Sequence, residues 1–357
     1  MTKVARITYV VMVAAFFLVS GTASAETFRL TIGAGHPVDA STWITSMRDY
    51  MQVEVKKRVE ATTPHKIEWV EAYGGSVAKL GEVLEAIESG LLDIGDVHIP
   101  FEPAKLMAHN FSYFIPFGTP DILTASKAAK KVYDDYPQLK DILEKKYNQV
   151  FLGLGGVSCY NLVTTFPWEK VEQLKGRKVA AAGPNIPWLL AVGIVPVQSN
   201  LNEAYTSMQT GVYNGWIMFP SGWVNFKLYE VGKFYTEIGF GAITWHGLTI
   251  NTARWSKLPK EVQDVILEVA KEYEAKTGSV NKENYPKQIV ALKGFGVNVR
   301  TLPDKVKQDW ANSLAGWPAQ KAKELDAMGL PGTLVLEATL KAAEDNGHKW
   351  PVRYNLK

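Results

Sequence analysis

Apolar residues in this chain alternate between short continuous runs and stripes spaced by three or four positions. Runs at Phe28–Gly35, Lys66–Tyr73 and Leu91–Ile99 have the composition of buried strands. Between these runs, helical stripes begin at Trp43 and at Val77. A strand–helix–strand–helix–strand order of this kind predicts a parallel sheet with right-handed crossovers.

The alternation recurs in the middle of the chain, where strands are predicted at Lys178–Ala181 and Val195–Gln198. Glu237–Asn251 predicts strands that return to the first sheet. Two sheets formed in this way give an α/β fold of two lobes, each a mostly parallel sheet flanked by helices. The predicted division is lobe 1 at 26–150 plus about 240–283, lobe 2 at 151–239 plus about 284–325, and a C-terminal helical tail at 326–357.

A long helical pattern runs from Pro259 to about residue 292. Pro259 suits the first helical turn, where its missing N–H donor costs nothing. A helix of this length can bridge the two lobes. Gly278 and Pro286 interrupt the pattern, so we expect a bend or a break in the helix there.

The first 25 residues have the features of a signal peptide. Lys3 and Arg6 form a basic start, Ile7–Val19 is apolar, and Ala23-Ser24-Ala25 fits the small-residue cleavage rule. The apolar run is shorter than a membrane-spanning helix, which needs about 20 residues. We therefore predict cleavage after Ala25 and a periplasmic protein; an uncleaved anchor is the alternative.

The overall charge gives no support for a nucleic-acid partner. Without Lys3 and Arg6 the chain has 37 basic against 36 acidic residues, which is close to neutral. The single cysteine, Cys159, excludes an internal disulfide framework. No motif of a serine hydrolase, a zinc enzyme or a dinucleotide-binding fold is present. We predict a protein that is not an enzyme and has no cofactor or metal.

Candidate site residues lie where predicted strands end, because open parallel sheets bind ligands at the carboxyl ends of their strands. His36 ends the first strand and His98 the third, and Tyr73 and Gly74 follow the second. Four tryptophans also fall near predicted strand ends: Trp188, Trp216, Trp223 and Trp245. Each could instead be core packing, as we interpret Trp43, and Trp245-His246 could be hinge packing or a ligand contact.

In several segments the chain resembles the substrate-binding proteins of TRAP transporters. The segments are AYGGSVAKLGEVLEAIESGLLDIGDV, FSYFIPFGTPD, LKGRKV, NEAYTSMQTGVYNG, KLYEVGKFYT and RWSKLPKEVQDVI. The resemblance implies a clamp like that of periplasmic binding proteins, in which two lobes close on a small organic acid. It also implies delivery of that acid to a membrane permease, and a monomer is the default for this architecture.

Three positions depart from the family pattern. Where the family has an arginine that binds a ligand carboxylate, this chain has Ala180; where a second basic residue is common, it has Tyr160. Met218 replaces an expected asparagine. Loss of the guanidinium removes a fixed fork of donors matched to carboxylate, so a C4-dicarboxylate is disfavoured.

Aromatic and apolar residues take the place of these polar groups, and they favour a flat ligand such as a benzoate-like or phenyl-keto acid. Its carboxylate would be held by Tyr160, Asn185, His36 or His98, with backbone N–H groups at the start of the Asn185 helix. The predicted ligand-binding residues are His36, Tyr73, Gly74, His98, Tyr160, Asn185, Trp188, Trp216, Met218 and Phe219.

Two other functions use the same features. A periplasmic sensor or chemoreceptor module would bind the ligand in the same pocket, and the sequence does not separate it from a transport receptor. An exported enzyme acting on aromatic acids would need a nucleophile, for which Cys159 is the only thiol.

Overall fold

The computed structural model describes residues 25–39 and 42–356. The predicted signal peptide lies outside these ranges except for Ala25. None of the helices in the described part of the chain is both long and apolar enough to cross a bilayer.

Eleven strands are present in the described residues and form two sheets. In chain order they are β1 (Thr27–Gly33), β2 (Lys66–Ala72), β3 (Ile94–His98), β4 (Gln149–Val157), β5 (Asn161–Thr164), β6 (Lys178–Ala181), β7 (Val195–Gln198), β8 (Gly215–Met218), β9 (Phe234–Glu237), β10 (Ile243–Asn251) and β11 (Asn298–Thr301).

Each sheet runs in one direction except for a single reversed strand. The first has the order β2-β1-β3-β10-β4, and only β10 is antiparallel to its neighbours. The second has the order β11-β9-β5-β8-β6-β7, and only β5 is reversed. The predicted fold class, two lobes built on mostly parallel sheets, is confirmed.

Fourteen α-helices cover the faces of these sheets in the part of the chain described. They are α1 (Thr42–Ser46), α2 (Val53–Thr62), α3 (Val83–Glu88), α4 (Phe111–Phe114), α5 (Ile122–Asp135), α6 (Gln138–Asp141), α7 (Ile186–Leu190), α8 (Leu201–Gln209), α9 (Pro220–Asn225), α10 (Thr252–Trp255), α11 (Lys260–Gly294), α12 (Asp304–Ser313), α13 (Trp317–Ala327) and α14 (Gly332–Asp345).

Helix α11 bridges the lobes, as predicted. It packs on α2 and β4 of the first lobe and on α9 and β11 of the second. The predicted break is wrong, because the helix continues through Gly278 and Pro286. Gly278 lies against Leu123, and a Cβ there would be 2.8 Å from the leucine Cδ2 atom, so the glycine permits close packing with α5. Tertiary packing of this kind overrides the local tendency of these two residues.

Two further crossings connect the lobes and are hydrogen-bonded to each other. The Tyr160 N–H donates to the Gly241 carbonyl at 2.9 Å, and the Phe240 N–H donates to the Tyr160 carbonyl at 3.1 Å. Tyr160 lies between β4 and β5, and Gly241 between β9 and β10. Tyr160 is therefore held at the hinge itself. The predicted lobe boundaries stay a prediction.

The C-terminal segment packs against the first lobe. Helix α14 contacts α5 and α4. Beyond it, the Tyr354 hydroxyl donates to the Pro116 carbonyl at 2.7 Å, and the His348 Nε2 atom lies 3.0 Å from the Phe117 carbonyl. The segment therefore covers the loop that comes after α4.

We predict that Gly241→Ala destabilises the hinge. Gly241 has φ +110°, and a Cβ would lie 2.8 Å from the Gly118 backbone nitrogen. Left-handed strain and overpacking together should cost about 3 kcal/mol in urea unfolding. Gly347→Ala is the matched control, since Gly347 has φ +86° and no atom within 4 Å of its Cβ position. Equal losses in both variants would mean that close packing at the crossing contributes nothing.

Candidate functional site

The carboxyl ends of β1 and β3 carry two histidines that meet in the first lobe. His36 Nδ1 lies 2.7 Å from His98 Nε2, and the Trp43 indole N–H donates to the same His98 atom at 3.3 Å. On the adjoining strand, His246 pairs in register with His98. Its Nδ1 atom is 2.6 Å from Asp96 Oδ1, while Asp96 Oδ2 is 3.3 Å from His98 Nε2. We call His36, Asp96, His98 and His246 the histidine cluster; all four are buried.

Burial decides the charge of this cluster. Burial lowers the pKa of His98 to about 4, although the nearby Asp96 carboxylate raises it. Burial also holds the pKa of His36 well below its ordinary value, and repulsion from His98 and His246 lowers it further. Burial alone would raise the pKa of Asp96, but His246 and His98 outweigh it and the pKa is lowered. At neutral pH, His36 and His98 are therefore uncharged and Asp96 is ionised.

The tautomer of His98 is set by its neighbours. Its Nδ1 atom faces the Asp96 carbonyl oxygen at 3.1 Å. A neutral imidazole has one donor and one acceptor nitrogen, so Nδ1 carries the hydrogen and Nε2 accepts from Trp43 and His36. The hydrogen bonds therefore run from His36 to His98 and from His98 to the Asp96 carbonyl.

A glycine makes room for this arrangement. A Cβ on Gly155 in β4 would lie 1.7 Å from His246 Cε1. The His246 ring therefore occupies the space that any other residue at position 155 would need, and this close packing holds it against Asp96.

Aromatic rings continue from the histidine cluster across the cleft. The His36 ring lies 6.4 Å from Phe226, and Trp43 lies 6.1 Å from Phe219 of the second lobe. Phe219 in turn lies 5.2 Å from Tyr160 at the hinge. The two lobes thus meet through an aromatic contact, which includes the predicted site residue Phe219.

Trp188 and Tyr160 share a second aromatic group with Tyr113. The Trp188 indole N–H donates to the Tyr113 carbonyl at 3.1 Å, a bond from the second lobe to the first. Trp188 also stacks on Phe240 at 5.0 Å. Its ring is fully buried, so it holds the lobes together through both contacts.

The Tyr113 and Tyr160 hydroxyls have one hydrogen more than their mutual bond uses. They lie 3.0 Å apart, and this is the one bond that either hydroxyl makes within the described chain. Burial raises the pKa of both groups, so each keeps its hydrogen. One O–H is therefore left without an acceptor in the described residues, and an acceptor atom of a ligand would satisfy it.

Asn185, at the end of β6, carries further donors. Its Oδ1 atom accepts from the Ala182 N–H at 2.9 Å, which fixes the orientation of the amide. The Nδ2 atom is fully buried and has no acceptor among the residues described. Asn185 precedes Trp188 by one turn, since the Trp188 N–H bonds to the Asn185 carbonyl. The Trp188 ring lies 5.9 Å from Tyr113 and 6.2 Å from Tyr160, so Asn185 is one helical turn from a residue that packs against the tyrosine pair.

Trp216 and Met218 lie within the second lobe rather than at its edge. Trp216 is paired in register with Ala180 and lies 5.8 Å from Tyr213, so its side chain is beside the position of the family arginine. Met218 contacts α9, because a Cβ on Gly222 would be 2.6 Å from its sulfur. Both of these contacts lie within the second lobe.

Gly74 is hydrogen-bonded to the histidine cluster, whereas Tyr73 is hydrogen-bonded to Gln52. The Tyr73 hydroxyl donates to Gln52 Oε1 at 2.7 Å. Gly74 has φ +68°, and its N–H donates to the His36 carbonyl at 3.0 Å. Gly74 thus fixes the end of β1 through its backbone.

No lysine or arginine residue of the described ranges is buried as a whole; the buried guanidinium atoms belong to Arg254, which pairs with Asp93, and to Arg300, which lies over the Trp168 ring. Arg48 lies at the rim, 2.6 Å from Asp49, and exposed Arg177 lies over the Phe166 ring at 4.6 Å. Within those same ranges, no three His, Cys, Asp or Glu side chains are arranged to hold a metal ion. Burial raises the pKa of the Cys159 thiol to about 11, which makes it a poor nucleophile.

Three residues of this site are not predicted as ligand-binding from the sequence. Sequence patterns do not indicate Asp96 or Tyr113 as ligand-binding residues, and they indicate Trp43 as packing. Asp96 could be found from its spacing, because residues two apart in a strand share a face and Asp96 thus accompanies His98. Tyr113 carries no such signal, since its contact with Tyr160 joins distant parts of the chain.

A family model described as DctP, bacterial extracellular solute-binding protein, family 7, matches residues 45–322. The chain belongs to the DctP family. The family resemblance found in the sequence is thereby confirmed. DctP proteins are TRAP extracytoplasmic solute receptors and not enzymes.

Curated relatives agree at low identity. A solute-binding protein of a Sulfitobacter strain is 29% identical over 136 residues, which cover 38% of this chain and 41% of that protein. The C4-dicarboxylate-binding periplasmic protein DctP of Rhodobacter capsulatus is 23% identical over 241 residues, covering 64% of this chain and 68% of that one. The match to the Sulfitobacter protein thus spans less than half of that relative.

Solved structures of DctP-type receptors share the fold. A TRAP solute-binding protein of Rhodoferax ferrireducens in complex with benzoate has a TM-score of 0.79 at 15% identity and covers 89% of this chain and 98% of its own. One of Bordetella bronchiseptica with bound mandelate scores 0.77 at 20%, with coverages of 89% and 99%. A Bordetella pertussis receptor binding pyroglutamic acid scores 0.73 at 19%, with coverages of 88% and 99%.

We expect Gly155→Ala to displace His246 and to lower stability by about 3 kcal/mol or more, because the new methyl group would occupy the imidazole's place. Gly247→Ala on β10 is the control: its nearest neighbour would be Phe151 Cε2 at 3.7 Å, an ordinary contact. Urea unfolding of both variants measures the difference. A stable Gly155→Ala protein would show that the His246 ring does not need the space beside residue 155.

Acid should destabilise the DctP fold through its buried neutral histidines. The pKa of His98 is about 4 when folded and 6.5 when unfolded, so as pH falls the unfolded chain takes up the proton first. Neutral His98 therefore contributes about 3 kcal/mol to the free energy of unfolding above pH 6.5, and this contribution is lost as the pH falls from 6.5 to 4. Burial lowers the pKa of His109 to about 3, which adds to the same loss.

Unfolding free energies at pH 7.5, 6 and 5 measure this loss. His98→Gln should make the acid-dependent fall shallower than in the native protein. An unchanged slope would mean that His98 is not neutral in the folded state.

Proposed function

We propose that this DctP protein is the receptor of a TRAP uptake system and captures a small aromatic carboxylate between its lobes. The observation that carries the proposal is the excess of buried hydrogen-bond donors at Tyr160, Tyr113 and Asn185, in a cleft without buried lysine or arginine among the described residues. A carboxylate or keto oxygen only accepts hydrogen bonds, so it matches such donors.

The absence of a buried cation in the described chain argues against two-carboxylate ligands. A C4-dicarboxylate would place two negative charges in the closed cleft, and each buried charge needs a partner. The position of the family arginine is taken by Ala180, beside Trp216. A ligand with one carboxylate and an apolar body fits these surroundings better.

Rings from both lobes support an aromatic body. Trp43, Phe219 and Tyr160 follow one another across the cleft with centroids 6.1 and 5.2 Å apart. Aromatic pairs contribute about 0.5–1.5 kcal/mol each beyond the area that they bury. Among the similar structures above, the receptors for benzoate and mandelate have the higher TM-scores, and the pyroglutamate receptor shares the fold too. The residues of this chain, rather than the fold, therefore support an aromatic carboxylate over other small organic acids.

Capture would proceed by closure of the two lobes. Site residues on both sides are buried in the closed arrangement, so the lobes must separate for the ligand to enter. A ligand that contacts His36 in one lobe and Asn185 in the other binds the closed form better, and so shifts the population towards it. The membrane permease would then receive the ligand from the closed form.

The setting of this function is part of the same proposal. Export would use the predicted signal peptide, with cleavage after Ala25, and the mature protein would act as a monomer in the periplasm. A sensor module that passes the closed form to a signalling partner is the second candidate, since it needs the same site.

A ligand panel tests the proposed class. Benzoate, mandelate and phenylglyoxylate should raise the melting temperature, while succinate and glucuronate should not. A ligand at 100 times its Kd stabilises the fold by about 2.7 kcal/mol. Stabilisation by succinate alone would refute the proposal.

Variants test the donors. Tyr160→Phe and Asn185→Asp should each weaken binding of benzoate about tenfold, because a matched donor is lost. Asn185→Asp keeps the oxygen that accepts from Ala182. Tyr133→Phe, a buried tyrosine bonded to His109 outside the cleft, is the control. Unchanged affinity in both site variants would exclude these donors.

A further inference from the structure

The closed cleft offers no permanent positive charge to a carboxylate. Across the described ranges the buried polar residues include neither lysine nor arginine. Burying an ionised carboxylate without a partner charge is costly. An anion can therefore be enclosed here at low cost only if a group already in the cleft becomes positively charged.

Histidines are the groups that can take up this charge. His36 follows β1 at its carboxyl end and lies 6.4 Å, ring to ring, from Phe226 of the second lobe. It thus lies on the side of the cluster that faces the opposite lobe. Its Nδ1 atom is 2.7 Å from His98 Nε2, so a protonated His36 would keep a strong hydrogen bond to a neutral acceptor.

Asp96 supplies the negative charge that would stabilise a protonated His36. Its carboxylate is fully buried, 3.3 Å from His98 Nε2 and 2.6 Å from His246 Nδ1. A positive charge on His36, whose ring is bonded to His98, would therefore be stabilised by this nearby buried carboxylate. Asp96 is in this sense a positioning residue that acts through His98.

We propose that capture of an aromatic carboxylate is coupled to protonation of His36, so that the receptor takes up about one proton from solvent for each ligand bound. This inference rests on the proposed function and identifies protonated His36 as the group that compensates the charge of the ligand carboxylate. The proton adds to an imidazole nitrogen, and no covalent bond of the ligand is made or broken.

The charged and titratable groups around His36 are consistent with proton uptake on ligand binding. The rings that contact His36 are those of His98 on β3, Trp43 on α1 and Phe226 of the second lobe, and the titratable groups that lower its pKa are His98 and His246 on β10. Behind them, Asp96 on β3 is electrostatically coupled to Tyr73, which follows β2, and to Tyr273 on α11. Burial keeps the pKa of His36 well below its ordinary value without ligand, and an adjacent anion raises it. Affinity should therefore fall as pH rises, by up to tenfold per pH unit while one proton is taken up.

Calorimetry measures the proton directly. Benzoate is titrated at pH 6.5 into the native protein in phosphate, MES and bis-Tris, whose ionisation enthalpies differ. The slope of the observed enthalpy against the buffer enthalpy is the number of protons taken up, and we expect about one. Kd should rise between pH 5.5 and 7.5, a range in which benzoate itself stays ionised. Binding with no proton uptake and a constant Kd would overturn the inference and leave the proposed ligand class intact.

Variants assign the proton. His36→Gln, which cannot be protonated, should bind benzoate with a proton number near zero. Asp96→Asn should lower both the proton number and the affinity at pH 6.5. His109→Gln, at a buried histidine bonded to Tyr133, should leave the proton number unchanged. A full proton taken up by His36→Gln would refute the assignment. Failure of benzoate and mandelate to bind at any pH would overturn the ligand class and this inference together.

Discussion

A fully buried carboxylate constrains the first lobe's half of the cleft. Asp96 is ionised inside the fold, and an unpaired charge there would cost several kcal/mol. The carboxylate is paired with His246 on β10, so the antiparallel pairing of β10 with β3 must bring His246 opposite His98. The contact also requires that position 155 have no side chain. The register of β3, β10 and β4 therefore depends on the pairing of the Asp96 charge. The position of His36, which bonds to His98, depends in turn on that register.

The second lobe contributes rings and neutral donors, and these differ in what they select. Aromatic contacts between the lobes favour closure on any flat apolar body, because burial of such surface is not directional. Donors discriminate between ligands. A ligand that leaves the Asn185 amide or the Tyr160 hydroxyl without an acceptor forfeits about 1–3 kcal/mol for each buried group. Under the proposed function, selectivity among aromatic carboxylates would thus depend on the placement of these donors more than on the aromatic side chains that line the cleft.

Local sequence patterns predict the features that depend on local spacing. The strands, the long helix α11 and the placement of His36 and His98 at strand ends come from the hydrophobic period and from the rule for parallel sheets. Patterns alone could not find the partnership of Asp96 with His246, since it depends on a strand pairing 150 positions apart in the chain. The predicted break in α11 is wrong because packing against both lobes outweighs a local preference. Trp216 and Met218 are near the expected place, but their strand alternation turns them towards Tyr213 and α9.

The exchange of a fixed charge for a titratable one has a consequence for the clamp itself. An arginine in the cleft would stay charged in every state, so closing the lobes without a ligand would bury an unpaired guanidinium. His36 and His98 lose their protons instead, and they form a chain of hydrogen bonds from His36 through His98 to the Asp96 carbonyl. Closure without ligand is then opposed less strongly than in a receptor with the arginine. Under the proposed function, the ligand would consequently favour the closed form through the donors of Asn185 and Tyr160 and through the proton on His36, because aromatic contacts join the lobes without a ligand.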